Sequence, residues 1–279
     1  MATYFIGDVQ GCDAALGRLL TVMDFSPSRD QLFFLGDLVN RGPDNLGVLR
    51  RIRALEGSAR VLLGNHDLHL LAVAAGVRAA SAQDTLDDVL QDPERSAWLD
   101  WLRQQALAIE DQGLLMVHAG VLPEWSVAQT LALAQEVQAV LAGPDWQHFL
   151  RQMYGNTPDR WDPHLTGVDR WRLTVNALTR LRYCHPDGRM DFLTKEGVAQ
   201  APSHLLPWFD LPHRVSRGTP ILFGHWSTLN PMARDDVVCL DDGCVWGGCL
   251  SALERPAMAQ PLRDWPKHQV RCEAAQTPG

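Results

Sequence analysis

Hydrophobic residues along the chain gather into short runs. The clearest are Tyr4-Phe5-Ile6, Leu32-Phe33-Phe34-Leu35, Val61-Leu62-Leu63, Leu114-Leu115-Met116-Val117 and Ile221-Leu222-Phe223, and Val237-Val238-Cys239-Leu240 is a sixth. Runs this short and this rich in strand formers read as buried strands. Each stops at a polar cluster: Gly7-Asp8, Gly36-Asp37, Gly64-Asn65-His66-Asp67, His118-Ala119-Gly120, Gly224-His225 and Asp241-Asp242-Gly243. Helix-like stretches near Asp13 to Met23 and Leu46 to Leu55 separate the first three runs, an alternation that predicts parallel strands with crossover helices. Ligands of α/β sheets sit at the carboxyl ends of the strands, where the polar clusters fall. This architecture therefore brings together Asp8, Asp37, Asn65, His118 and His225, which are far apart in the chain.

Two regions break the alternation. Residues 81–105 are helix-like and acidic, with Trp98 and Trp101 at helical spacing, and residues 125–182 are largely helix-like, broken at Gly143-Pro144 and near Pro158 and Pro163. Both are expected as insertions that cap the site of one domain spanning 1–255. Residues 256–279, rich in Pro, Ala and Gln, are expected as a C-terminal tail with a disordered end.

Composition narrows the picture. The chain has 279 residues, 46% of them apolar and 21% charged, which suits a globular protein with a sizeable core. A net charge of −8 argues against an extended nucleic-acid footprint, which calls for a basic surface. No apolar run approaches a membrane span. Met1 leads into the first strand without a basic, apolar leader, so a cytoplasmic protein is expected. Six cysteines are too sparse for a disulfide scaffold and read as free thiols. The evenly spaced Cys239, Cys244 and Cys249 lie among strand-like residues without the paired spacing of a structural zinc site.

The Asp, Asn and His set suits divalent transition metals better than calcium. Two such ions sharing a carboxylate polarise a phosphoryl oxygen and lower the pKa of a bound water, so the constellation predicts phosphoester or phosphoanhydride hydrolysis. Other conspicuous residues have plainer readings. His69 falls on a helix surface or behind the ligands. Arg50, Arg51 and Arg53 form a solvated helix face, and most of the ten tryptophans, Trp226 and Trp246 among them, are packing residues.

The blocks Gly7-Asp8-Val9-Gln10-Gly11, Gly36-Asp37-Leu38-Val39-Asn40-Arg41-Gly42, Gly64-Asn65-His66-Asp67, His118-Ala119-Gly120 and Gly224-His225 resemble, in order and spacing, the metallophosphoesterases of the phosphoprotein-phosphatase superfamily. Within it, Leu63 to Leu71, Asn176 to Arg182, Phe223 to Trp226 and Leu240 to Gly248 resemble the bacterial symmetrical bis(5′-nucleosyl)-tetraphosphatases. The resemblance implies an α/β (α+β) fold, a β-sandwich flanked by helices. It also implies hydrolysis of diadenosine tetraphosphate and related dinucleoside polyphosphates to two nucleoside diphosphates, with two divalent ions, Mn or Co, or else Fe or Zn. It makes Asp8 a ligand of the first metal, Asp37 the bridge, and Asn65, His118 and His225 ligands of the second. Arg41 is then a phosphate anchor, His66 the group acting on the leaving oxygen, and Asp67 its orienting partner. Arg180 and Arg182 become grips for the remaining phosphates.

Two positions depart from the superfamily. Gln10 stands where histidine is common and makes a weaker ligand of the first metal. Asn40 stands where the protein phosphatases have aspartate; it can hydrogen-bond His66 but cannot raise its pKa as a carboxylate would. Asn40 and the Arg180-Leu181-Arg182 segment weigh against a protein Ser/Thr phosphatase, and Gln10 is the one feature favouring a non-catalytic metal-dependent binding protein. Free dinucleotides and nucleoside-polyphosphate caps on RNA 5′ ends would suit the same chemistry, and the sequence leaves both open.

Overall fold

The computed structural model describes residues 1–276 apart from 56, 230, 231 and 233. The first half of the chain alternates as its pattern predicts. Strands β1 (Thr3–Ile6), β2 (Gln31–Phe34) and β3 (Ala59–Val61) are separated by helices α1 (Asp13–Val22) and α2 (Asn45–Ala54), and α3 (Asn65–Ala74) follows β3. The three strands are parallel, with Phe5 beside Phe33 and Phe34 beside Val61. A helical stretch, α4 (Asp87–Leu90) and α5 (Arg95–Leu102), leads to the hairpin β4 (Ala108–Asp111) and β5 (Leu114–Val117). Helices α6 (Val127–Ala142), α7 (Trp146–Gln152) and α8 (Gly167–Arg180) come next, then a small sheet of β6 (Tyr183–Cys184), β7 (Met190–Asp191) and β8 (Leu206–Pro207). The chain returns through β9 (Ile221–Phe223), β10 (Val237–Cys239), β11 (Cys249–Glu254) and β12 (Lys267–Arg271).

Two sheets form a sandwich. One runs β12-β11-β1-β2-β3 and the other β10-β9-β5-β4, so the six apolar runs divide three to each sheet. Because alternate side chains leave a strand on opposite faces, Phe5, Phe33 and Leu253 meet Ile109, Met116, Leu222 and Val238 between the sheets. Tyr4, Ile6 and Phe34 point the other way, into the core built with Leu16 and Leu19 of α1 and Val48 and Ile52 of α2. Both faces are covered, which is why these strands read as unbroken apolar runs and not as alternating ones.

The expected tail needs correction. The chain beyond residue 255 turns back to add β12 as the edge strand of the first sheet, Leu250 pairing with Val270 and Ala252 with His268. Lys267-His268-Gln269-Val270-Arg271 has only Val270 buried, so an edge strand facing solvent left no apolar run to read. Residues 277–279, the end expected to be disordered, lie outside the described residues. Helices α4 and α5 occupy the acidic 81–105 stretch and α6 to α8 the 125–182 stretch. Among these, α7 lies against α3, and Glu136 of α6 is bound by Arg170 of α8 through two hydrogen bonds of 2.7 and 2.8 Å. Among the described residues no helix is long and apolar enough to cross a membrane.

Candidate metal centre and active site

The polar clusters that end the strands meet at one edge of the sandwich. The backbone N–H of His225 donates to Asp8 at 3.1 and 3.2 Å, and that of His66 donates to Asp37 Oδ1 at 2.8 Å. Nδ1 of the His118 ring is 2.8 Å from the Leu35 carbonyl and donates to it, which orients the ring with Nε2 toward the ligand set. That Nε2 lies 3.4 Å from Asp37 Oδ1 and 3.3 Å from Asn65 Oδ1. Ligand atoms of Asp37, His118 and His225 all fall within 4.8 Å of one another. The Gln10 amide reaches Asp37 Oδ2 at 3.5 Å.

The backbone is strained to achieve this convergence. Gln10, Asp37, Asn40, Arg41 and His225 all hold positive φ, between 46° and 77°, a region that costs L-residues energy and that folds tolerate mainly at functional sites. Close approach also requires glycine: a Cβ on Gly64 would stand 2.0 Å from Asp37 Oδ1, and one on Gly224 2.0 Å from Asp8 Oδ1. Gly224→Ala is therefore expected to displace the Asp8 carboxylate, lowering stability by about 1–3 kcal/mol and reducing bound metal. Thermal unfolding and metal analysis check this, and a variant matching the parent in both would refute the close packing.

The electrostatics call for cations. Burial, reinforced by Asp241, pushes the Asp8 carboxyl well above its ordinary range, and burial lifts Asp241 to about 6. Burial opposes a charged His118, yet Asp37 and Asp8 outweigh it and drive the ring up to about 10. Burial and the neighbouring Arg182 push His225 well below its usual value, and its buried Nε2 has no hydrogen-bond partner among the described residues. Clustered carboxylates beside a buried imidazole nitrogen with an unspent lone pair are what a divalent transition ion would satisfy, and the mixed N and O donors match that class. The residues present thus fit metal ions.

Around this centre the expected residues divide. His66 Nδ1 lies 3.1 Å from Asn40 Nδ2; because Asn40 Oδ1 already accepts the N–H groups of Arg41 (2.8 Å) and Thr85 (3.1 Å), Nδ2 is the donor. That places the ring proton of neutral His66 on Nε2. Asp67 does not orient His66. Its oxygens accept the backbone N–H groups of Leu38 (2.9 Å) and Gly64 (2.8 Å), tying the loop before α3 to the loop after β2. Arg180, the last residue of α8, lines the cleft described below. Arg182 does not reach that cleft; it donates to the His225 carbonyl at 3.0 Å and stands among the charges of Asp241, Asp37 and Asp8.

Other side chains fall as their plainer readings expect. His69 pairs with Asp84 at 2.9 Å, Arg51 with Asp13 at 2.6 Å and Arg50 with Asp92 at 3.1 Å. Trp226 is core, packed edge-on against Tyr183 at 4.6 Å, and the six cysteines are free. Two residues escaped the sequence reading. Asp241 follows β10 beside the centre, and its place after an apolar run was the signal available. Asp84 gathers Asn40 (2.9 Å), His69 and Arg41 (3.5 Å) from inside the acidic stretch, where nothing distinguished it from its neighbours.

A cleft of about 590 Å³ opens from Asn65 and His66 and runs between α3, the segment after α7, and α8. Arg41, Arg78 and Arg180 line it, and Asp84 is its one lining carboxylate among the described residues. With five ligand-type residues on two sheets and an arginine-lined cleft alongside, the site has the layout of a metallophosphoesterase. The chain belongs to the calcineurin-like phosphoesterase family, whose model matches residues 1–226.

Its relatives are more specific. The chain is 59% identical over 283 residues, covering all of both chains, to a Paracidovorax citrulli protein named bis(5′-nucleosyl)-tetraphosphatase, symmetrical. A Bordetella pertussis protein of the same name is 53% identical over 274 residues, covering 98% of this chain and 96% of that one. Among solved structures, a protein serine/threonine phosphatase of Saccharomyces cerevisiae shares the fold at a TM-score of 0.57 with 13% identity, covering all of this chain and 81% of that one.

Proposed function

We propose that this protein hydrolyses diadenosine tetraphosphate and related dinucleoside polyphosphates symmetrically, giving two nucleoside diphosphates. The observation that carries the reading is the meeting of Asp37, His118 and the unpartnered His225 Nε2 at the head of an arginine-lined cleft. The chain also aligns end to end with relatives named for that activity.

Asp8, Gln10 and Asp37 would hold one divalent ion, and Asp37, Asn65, His118 and His225 a second, with Mn or Co the ions favoured. When bound, such ions supply a nucleophile at neutral pH and draw charge from the phosphoryl oxygens. The protein's own residues do the rest. Arg41, fixed by its strained backbone and the 3.5 Å contact to Asp84, offers a guanidinium to the phosphoryl group under attack. His66, held by Asn40 with its proton on Nε2, donates a hydrogen bond from it to the departing oxygen and steadies the charge that develops there. Asp67 fixes the loop that carries His66. Arg182 balances the buried carboxylates behind the centre, and Arg180 holds the diphosphate that leaves. Helices α4 to α8 act as the cap of one catalytic unit, and the six free thiols support a cytoplasmic setting.

Product analysis by chromatography tests the reading. With diadenosine tetraphosphate, ADP should be the only nucleotide formed; AMP together with ATP would place the attack on an outer phosphorus and overturn the symmetrical assignment. Arg180→Ala should raise the KM for the tetraphosphate by roughly tenfold or more, the scale of a lost charge-assisted hydrogen bond.

A further inference from the structure

Beyond the residues given roles above, the cleft holds a guanidinium that none of them uses. Helix α3 ends at Ala74, Gly76 takes the left-handed conformation at φ 67°, and the N–H groups of Val77 and Arg78 both return to the Ala72 carbonyl, at 2.9 and 3.3 Å. This tight helix end fixes where the Arg78 side chain starts. From there it crosses to Tyr154, just past α7, and lies over the ring with its guanidinium carbon 3.9 Å from the centroid. Cation–π attraction holds a guanidinium at this distance from a ring, and it does so without a carboxylate partner, so the charge remains available to an anion.

No carboxylate balances that charge. Arg78 makes no ion pair among the described residues, and Asp84 is already occupied by Asn40, His69 and Arg41. Arg180 stands in the same cleft in a similar state, its guanidinium 4.6 Å over Phe192 and hydrogen-bonded to the neutral side chains of Asn176 (2.8 Å) and Asn156 (3.1 Å). Three guanidinium groups against one carboxylate is a surplus that calls for a multiply charged ligand. A single phosphoryl group at the metal centre would engage Arg41 and leave Arg78 and Arg180 idle, whereas a diphosphate extending down the cleft would engage them too.

We propose that Arg78, held over the Tyr154 ring, binds the diphosphate of the departing nucleoside diphosphate, with Tyr154 as the positioning residue. This assignment rests on the functional reading above. It makes the cleft a gauge of chain length, because a substrate must carry phosphates beyond the scissile bond to collect the binding energy of Arg78.

The test is titration of ADP into the Mn-loaded full-length protein by calorimetry, beside steady-state kinetics on diadenosine tetraphosphate and p-nitrophenyl phosphate. Arg78→Ala should weaken ADP binding by about 10–100-fold and Arg78→Lys by less, since an ammonium lacks the planar donor edge. Tyr154→Phe should keep ADP affinity and Tyr154→Ala should lose it, because the ring face is what holds Arg78. In Arg78→Ala the KM for the tetraphosphate should rise at least about tenfold more than that for p-nitrophenyl phosphate. ADP affinity within about twofold of the parent, or equal losses on both substrates, would overturn the assignment. A parent protein that cleaves p-nitrophenyl phosphate but leaves the tetraphosphate intact would sink the substrate reading instead, and the ADP titration would still decide the role of Arg78.

Discussion

Asp37→Asn should strip the protein of most of its bound metal and lower turnover by several orders of magnitude. Asp37 sits in the middle of the ligand set. Asp37 accepts the His66 N–H at 2.8 Å, lies 3.4 Å from His118 Nε2, takes the Gln10 amide at 3.5 Å, and shares a 4.8 Å sphere with the ligand atoms of His118 and His225. Burial opposes its ionisation, but His118 and His66 hold its carboxyl down at about 2, so it is anionic throughout the neutral range. An amide of the same shape keeps the packing, loses that charge and offers a far poorer bridge to two cations. Metal analysis and turnover on one preparation check the expectation. The variant should melt somewhat below the parent yet remain folded in the assay, because a carboxyl held below its ordinary pKa contributes stability that the amide loses. Turnover close to the parent's would refute the assignment of Asp37 as the bridge.

His66→Asn should cut the rate by roughly 10²–10³-fold, the usual cost of losing one hydrogen-bond donor to the charge that develops in the transition state, while metal content stays unchanged. The ring is 3.9 Å from Asp37 Oδ2 at its nearest nitrogen, and it is the neighbouring Asn65 that meets His118. Its other nitrogen is committed to Asn40, so the free Nε2–H belongs to the substrate side. Burial also lowers the pKa of His66, against the pull of Asp37, so the ring works as a neutral hydrogen-bond donor and not as an imidazolium. A parallel fall in metal content would instead make His66 a ligand.

How much of this was legible in the sequence follows from which interactions are local. Six strands announced themselves because they are apolar on both faces, and the ligand set could be read because each member closely follows such a strand. Strand β12 could not be seen, since an edge strand with one solvent face carries alternating polar residues, and β11 and β4 were missed alongside it. Asp67 was misread for a related reason. Its adjacency to His66 suggested a pair, but residues i and i+1 of a helix point apart, and its oxygens close the turn at Gly64 and reach Leu38 across 29 residues. Arg182 was grouped with Arg180 by sequence proximity, yet α8 ends between them, so one faces the cleft and the other the carboxylates behind the centre. Arg78 and Asp84 carry no local signature, because their roles depend on how α3, α7 and α8 close around one space.

The most direct test of the whole account is a metal titration of chelator-stripped protein followed by turnover of diadenosine tetraphosphate. The account predicts negligible turnover after stripping and full recovery on adding Mn or Co, saturating near two equivalents per chain. Undiminished turnover by the metal-free protein would contradict it.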